Sequence, residues 1–107
     1  MSDEVVLAFS TFPDVETARR IARELVTENF AACANVIPKI ESIYHWEGKI
    51  EQGEETLVLF KTTAARFAEF EKKLEALHPY DVPEIICTPI DRGSPAYLEW
   101  VRQSVNS

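Results

Sequence analysis

The chain has 107 residues, a length that fits one compact domain and leaves no room for two. Its formal net charge is −7, with Lys and Arg spread among carboxylates, which argues against nucleic-acid binding, since that needs clustered cations against phosphates. No stretch reaches the roughly 18 uninterrupted apolar residues of a membrane span, and Met1-Ser2-Asp3-Glu4 has neither the basic region nor the apolar core of a secretory signal, so a cytoplasmic protein with no membrane partner is expected.

Val5 to Thr11 alternates apolar and small residues and reads as a first strand. Pro13 and Asp14 open a helix, with Asp14 as N-cap. Ala18, Ile21, Ala22 and Leu25 recur at helical spacing and form its inner stripe. Arg19, Arg20, Arg23 and Glu24 form a solvated outer face, and Asn29 is a suitable stop because Asn tolerates left-handed backbone.

A long hairpin follows, from Cys33 to about Thr62. In its first arm Val36, Ile40, Tyr44 and Trp46 share one parity, which assigns them to one face. The second arm, Thr56 to Lys61, is nearly all apolar, as in a strand covered on both faces. Glu47-Gly48 suits a tight turn, because Gly supplies positive φ. Gly53 suggests a bulge or bend in the second arm. Both arms exceed the usual strand of about five or six residues. Their far end, with Tyr44, Trp46 and Ile50, therefore extends past the sheet and needs a partner surface.

Thr63 N-caps a second helix whose buried stripe is Phe67, Phe70, Leu74 and Leu77, with Glu69 and Lys73 paired outside. His78-Pro79 ends it, because the residue before Pro avoids helical geometry. Glu84 to Thr88 reads as a fourth strand stopped by Pro89. Ser94 caps a last short helix with Pro95 at its first position. Leu98 and Val101 face inward there, with Tyr97 or Trp100 beside them. The order is β-α-β-β-α-β plus a terminal helix. That is an α+β, ferredoxin-like domain spanning 1–107, with a long hairpin between its second and third strands. The fold hosts many functions and decides none.

With only three glycines, phosphate-loop and dinucleotide patterns are absent, and no nucleophile sits beside a base, so no enzyme is expected. Cys33 and Cys87 lie far apart among small and apolar residues and read as buried, reduced thiols. His78-Pro79-Tyr80-Asp81-Val82-Pro83-Glu84 has two readings. In one, His78 caps the last carbonyls of the helix and Tyr80 packs. In the other, the imidazole and carboxylates form a site for a borderline cation such as copper or zinc. His45 reads as a surface or interface residue.

Four segments occur in register: Ala31 to Pro38, Tyr44 to Ile50, Lys61 to Thr63, and His78 to Glu84. Together they resemble the CutA family of divalent-cation tolerance proteins, and Tyr97-Leu98-Glu99-Trp100 is similar to that family's closing helix. The resemblance spans nearly the whole chain. It implies a ferredoxin-like, non-enzymatic homotrimer joined through its hairpins, cytoplasmic in bacteria, that binds Cu(II) and related divalent ions. It also implies a metal site at His78, with the family's Cys ligand replaced by Ser10, a poorer donor for soft ions. Asp81 and Glu84 are close in sequence and could add oxygen ligands. No obligatory cofactor is expected. Exposed strand edges are an association hazard, and threefold closure removes them, which places Tyr44, Trp46 and Ile50 at the trimer interface. The alternative is a module similar to the PII signalling proteins, with a small molecule or protein in the intersubunit cleft.

Overall fold

The computed structural model describes residues 3–106. The first strand, β1 (Val5–Phe12), leads into helix α1 (Val15–Thr27). The hairpin arms are β2 (Cys33–Trp46) and β3 (Lys49–Thr63). Helix α2 (Ala64–Leu77), strand β4 (Ile86–Pro89) and helix α3 (Pro95–Val105) follow. The sheet has four strands in the order β2-β3-β1-β4, every neighbour antiparallel. This is the ferredoxin-like architecture expected from the sequence.

The local signals act where they stand. The Asp14 carboxylate accepts the Thr17 amide at 2.7 Å, and the Thr63 hydroxyl accepts the Arg66 amide at 3.2 Å. Asn29 has φ 64, the left-handed conformation that ends α1. Glu47 and Gly48 have φ 50 and 79, the pair of positive values that a two-residue hairpin turn requires.

The core lies on one face of the sheet. Ala8 and Phe12 of β1 and Val58 and Phe60 of β3 meet Ile21 and Leu25 of α1 and Phe70 and Leu74 of α2, all fully buried. Each such Phe, Leu or Ile contributes about 1.5–3 kcal/mol by leaving water. Phe67 and Leu77 are only partly buried against this cluster. Helix α3 lies on the other face, where Val101 and Val105 pack on Val5 and Ala32. Tyr97 and Trp100 stay 40% and 44% exposed on its outer side.

Five expectations change. The irregularity lies not at Gly53 but in the first arm, where the register shifts between Ile37 and Ile40 and Lys39 takes φ 63. Gly53 pairs with Ser42 in regular ladder, and a Cβ there would stand 4.0 Å from the Tyr44 hydroxyl. The bulge also breaks the single parity assumed for the first arm. Val36 pairs with Val58 on the helix side, whereas Ile40 pairs with Glu55 on the opposite face. Lys73 does not pair with Glu69; it reaches across to α1, 3.4 Å from Glu24 and 3.6 Å from Glu28, while Glu69 takes Arg66. The fourth strand starts at Ile86 rather than Glu84 and includes Pro89, which an edge strand tolerates. The thiols are not buried: Cys33 is half-buried and Cys87 exposed, because they sit on the outer strands β2 and β4.

Candidate functional site

The segment after α2 is organised by His78. Its amide closes the helix on the Leu74 carbonyl at 2.9 Å, but its imidazole does not cap the last carbonyls. The ring turns back to β1 and is only 8% exposed. Nε2 stands 2.8 Å from the Thr11 carbonyl, which can only accept, so Nε2 carries the proton. Nδ1 then accepts the Tyr80 amide at 3.2 Å. Both nitrogens are used, which fixes a neutral tautomer. Burial pushes the His78 pKa below its ordinary value; the Thr11 carbonyl and the Glu55 charge oppose this and are outweighed.

Tyr80 donates its hydroxyl to Glu55 Oε2 at 2.7 Å and so ties this loop to the base of the hairpin. Its pKa rises, first through burial, then through the bond to Glu55 and that residue's charge. Glu55, half-buried, was not singled out in the sequence. It is one of many carboxylates, and only the fold, which sets it next to the β1 end that His78 packs against, brings it to Tyr80.

The four residues expected to share a metal are not joined in one chain. Ser10 is fully buried on the helix side of β1, opposite Val58, and its Oγ has no partner among the described residues. Asp81 and Glu84 are exposed on the outgoing loop. A metal at His78 requires Nδ1 to give up the Tyr80 amide. Among the described residues no three His, Cys, Asp or Glu side chains converge as a metal would need, so the donor set of one chain does not fit an ion as it stands.

The hairpin presents a second surface. Beyond the bulge, Tyr44 pairs with Glu51 and Trp46 with Lys49, on the face that carries Leu57 and Leu59. Ile50 pairs with His45 on the other side of the ribbon, where Ile43 also points. Tyr44, Trp46, Ile43 and Ile50 are 46%, 58%, 66% and 63% exposed. The ribbon is therefore apolar on both faces. Ile43 was missed because the uncorrected alternation left it among polar neighbours. Two shallow grooves of about 400 and 280 Å³ flank the bulge and share Lys39 and Glu54.

Residues 6–104 match the family described as CutA1 divalent ion tolerance protein. The chain belongs to that family. A CutA divalent-cation tolerance protein of Thermus thermophilus is 46% identical over 102 residues, 95% of this chain and 97% of the relative. A chloroplastic CutA protein of Arabidopsis thaliana is 39% identical over 95% of this chain, which spans only 56% of that relative's length. The crystal structure of CutA from Xylella fastidiosa superposes with a TM-score of 0.92 at 42% identity, covering 95% of this chain and 98% of that one. The family is named for tolerance of divalent ions and not for a reaction. Since a relative is chloroplastic by name, CutA membership carries no cellular address. No helix among the described residues is long and apolar enough to cross a membrane.

Proposed function

We propose that this CutA1 family member acts as a non-enzymatic homotrimer that binds divalent ions, copper preferred, and supports divalent-cation tolerance. The observation that carries the assembly is the two-sided apolar ribbon, which projects Tyr44 and Trp46 to one side and Ile43 and Ile50 to the other. Half-buried Leu7, Phe9, Leu57 and Leu59 continue the Tyr44 face across the sheet, and Ile37 and Ile86 on the same face are 39% and 54% exposed. Apolar surface of this kind marks association, and threefold closure covers it without leaving an edge to propagate.

The name shared with relatives supports the tolerance role. For the ion itself, Asp81 and Glu84 offer open oxygens, and His78 becomes a ligand when the Tyr80 amide leaves Nδ1. Ser10 joins only through a larger opening of β1, because it is sealed in the core. Binding of this kind is modest and is lost as pH falls through the His78 pKa, which burial holds below its ordinary value, because a protonated imidazole cannot coordinate. Calorimetric titration with Cu(II) tests it. His78→Ala abolishes binding and His45→Ala leaves it intact if the reading holds. Equal small losses from both variants mean adventitious uptake and sink the dedicated site.

A further inference from the structure

Lys61 is an unusual cation in this chain. It lies on the sheet face opposite the helix core, directly across from Cys33 and beside Leu7 in the ladder. The other half-buried cations, Arg66, Lys73 and Arg102, each meet a carboxylate, but among the described residues none lies within ion-pair distance of Lys61; the exposed Arg19, Arg20, Arg23, Lys39, Lys49 and Lys72 also have none, but they stand in water. The chain has 18 acidic residues against 11 basic ones, so an unpaired, half-buried ammonium is not forced by a shortage of anions.

Its polar neighbours among the described residues are neutral groups and not carboxylates. Lys61 Nζ donates to Asn35 Oδ1, which leaves the Asn35 amide nitrogen with its hydrogens free to point onward. Asn35 lies two residues along β2 from Cys33, on the same face. From α3, the Tyr97 hydroxyl comes within 3.6 Å of Cys33 Sγ. That contact, then burial, pushes the Tyr97 pKa up to about 12, so the hydroxyl keeps its proton at neutral pH. Three elements thus bring one ammonium and several neutral N–H and O–H groups to one spot on an otherwise apolar face.

We propose that Lys61, Asn35, Tyr97 and Cys33 form an anion site that takes a carboxylate, supplied by a neighbouring copy of this chain or by a free carboxylic acid. One positive charge matches one carboxylate, and the neutral donors satisfy its remaining lone pairs. Partial burial strengthens the attraction over that of a water-exposed lysine. The four side chains belong to one chain, so the site does not rest on the metal reading, and only its occupation by a neighbouring copy rests on the proposed assembly.

The test uses the full chain, with Lys61→Met, which keeps the aliphatic stem, and Asn35→Ala, an exposed change on an edge strand. Sodium acetate is titrated against sodium chloride at matched ionic strength. Amide resonances are followed, including the Asn35 side chain, while light scattering gives the assembly mass. A free-acid site gives saturable, acetate-specific shifts at Cys33, Asn35, Lys61 and Tyr97 that both variants weaken about tenfold or more. A neighbour's carboxylate gives no acetate effect in the assembled protein, but both variants raise the dissociation constant of the assembly about tenfold or more. Should the wild type prove monomeric, the acetate arm alone decides. Shifts that survive in Lys61→Met, or that spread equally to Lys49 and Lys72, mean an adventitious ion only and overturn the proposal. So does the absence of both effects.

Discussion

The imidazole of His78 lies on the ring of Phe12, centroids 4.6 Å apart and 20° from parallel. The stack joins the end of α2 to the end of β1, and burial there holds the imidazole neutral. An unfolded His takes up a proton near pH 6.5, whereas burial depresses the folded value. Below about 6.5 the unfolded state binds more protons, so the His78 contribution is complete above that pH and is lost as pH falls through the folded pKa. Urea midpoints at pH 7.5 and 5.0 should show a loss for wild type and a smaller loss for His78→Gln. Asp14 does not interfere, because its carboxyl is held below its ordinary value by the Thr17 amide and acts only in more acidic solution. Equal losses in both proteins would assign the acid sensitivity elsewhere.

Ser10 carries a hydroxyl into the core with no partner among the described residues. An unsatisfied buried polar group costs about 1–3 kcal/mol. Ser10→Ala removes that cost and little packing volume, so the protein should gain roughly 1 kcal/mol. Denaturant unfolding measures it. A loss of stability on substitution would reveal an acceptor or ordered water that the hydroxyl serves.

The bulge at Lys39 shifts the parity of the first arm. Deleting Lys39 removes the extra residue and restores plain alternation. Ile40 then still falls opposite Glu55, so Tyr44 and Trp46 keep their face and only the local kink is lost. The deletion should leave both the assembly mass and the far-ultraviolet dichroism near those of wild type. Light scattering that shows a loss of mass would mean that the kink itself, and not only the face of Tyr44 and Trp46, is needed for association.

Trp46 tests the interface directly. Its 58% exposure in one chain means that truncation to Ala costs a lone subunit little. If the ring is buried between subunits, Trp46→Ala costs about 3–5 kcal/mol per subunit. The wild-type unfolding midpoint should rise with protein concentration, because unfolding then includes dissociation. A midpoint independent of concentration, in wild type and variant alike, would mean separately folded monomers.

Much of the fold was legible because its signals are local. Asp14, Thr63 and Ser94 cap helices through bonds to residues three positions on. Ala18, Ile21, Ala22 and Leu25 are buried where a 3.6-residue period puts them. The candidate site was less legible. His78 and Tyr80 stood out by residue type, but their partners, the Thr11 carbonyl and Glu55, are 67 and 25 residues away and carry no sequence mark.

The sequence by itself determined the order of elements, the hairpin turn at Glu47-Gly48 and the family, because caps, periods and turn residues act within a few positions and the motifs stand in fixed order. Only the tertiary structure decided the faces. One inserted residue at the bulge reverses every side chain beyond it, which a count of parity cannot detect. Tertiary contact alone occupied both nitrogens of His78, drew Lys73 to Glu24, and left Lys61 facing Asn35 and, among the described residues, no carboxylate. Those outcomes depend on register and helix placement, which are settled by packing across the sheet and not by neighbours along the chain.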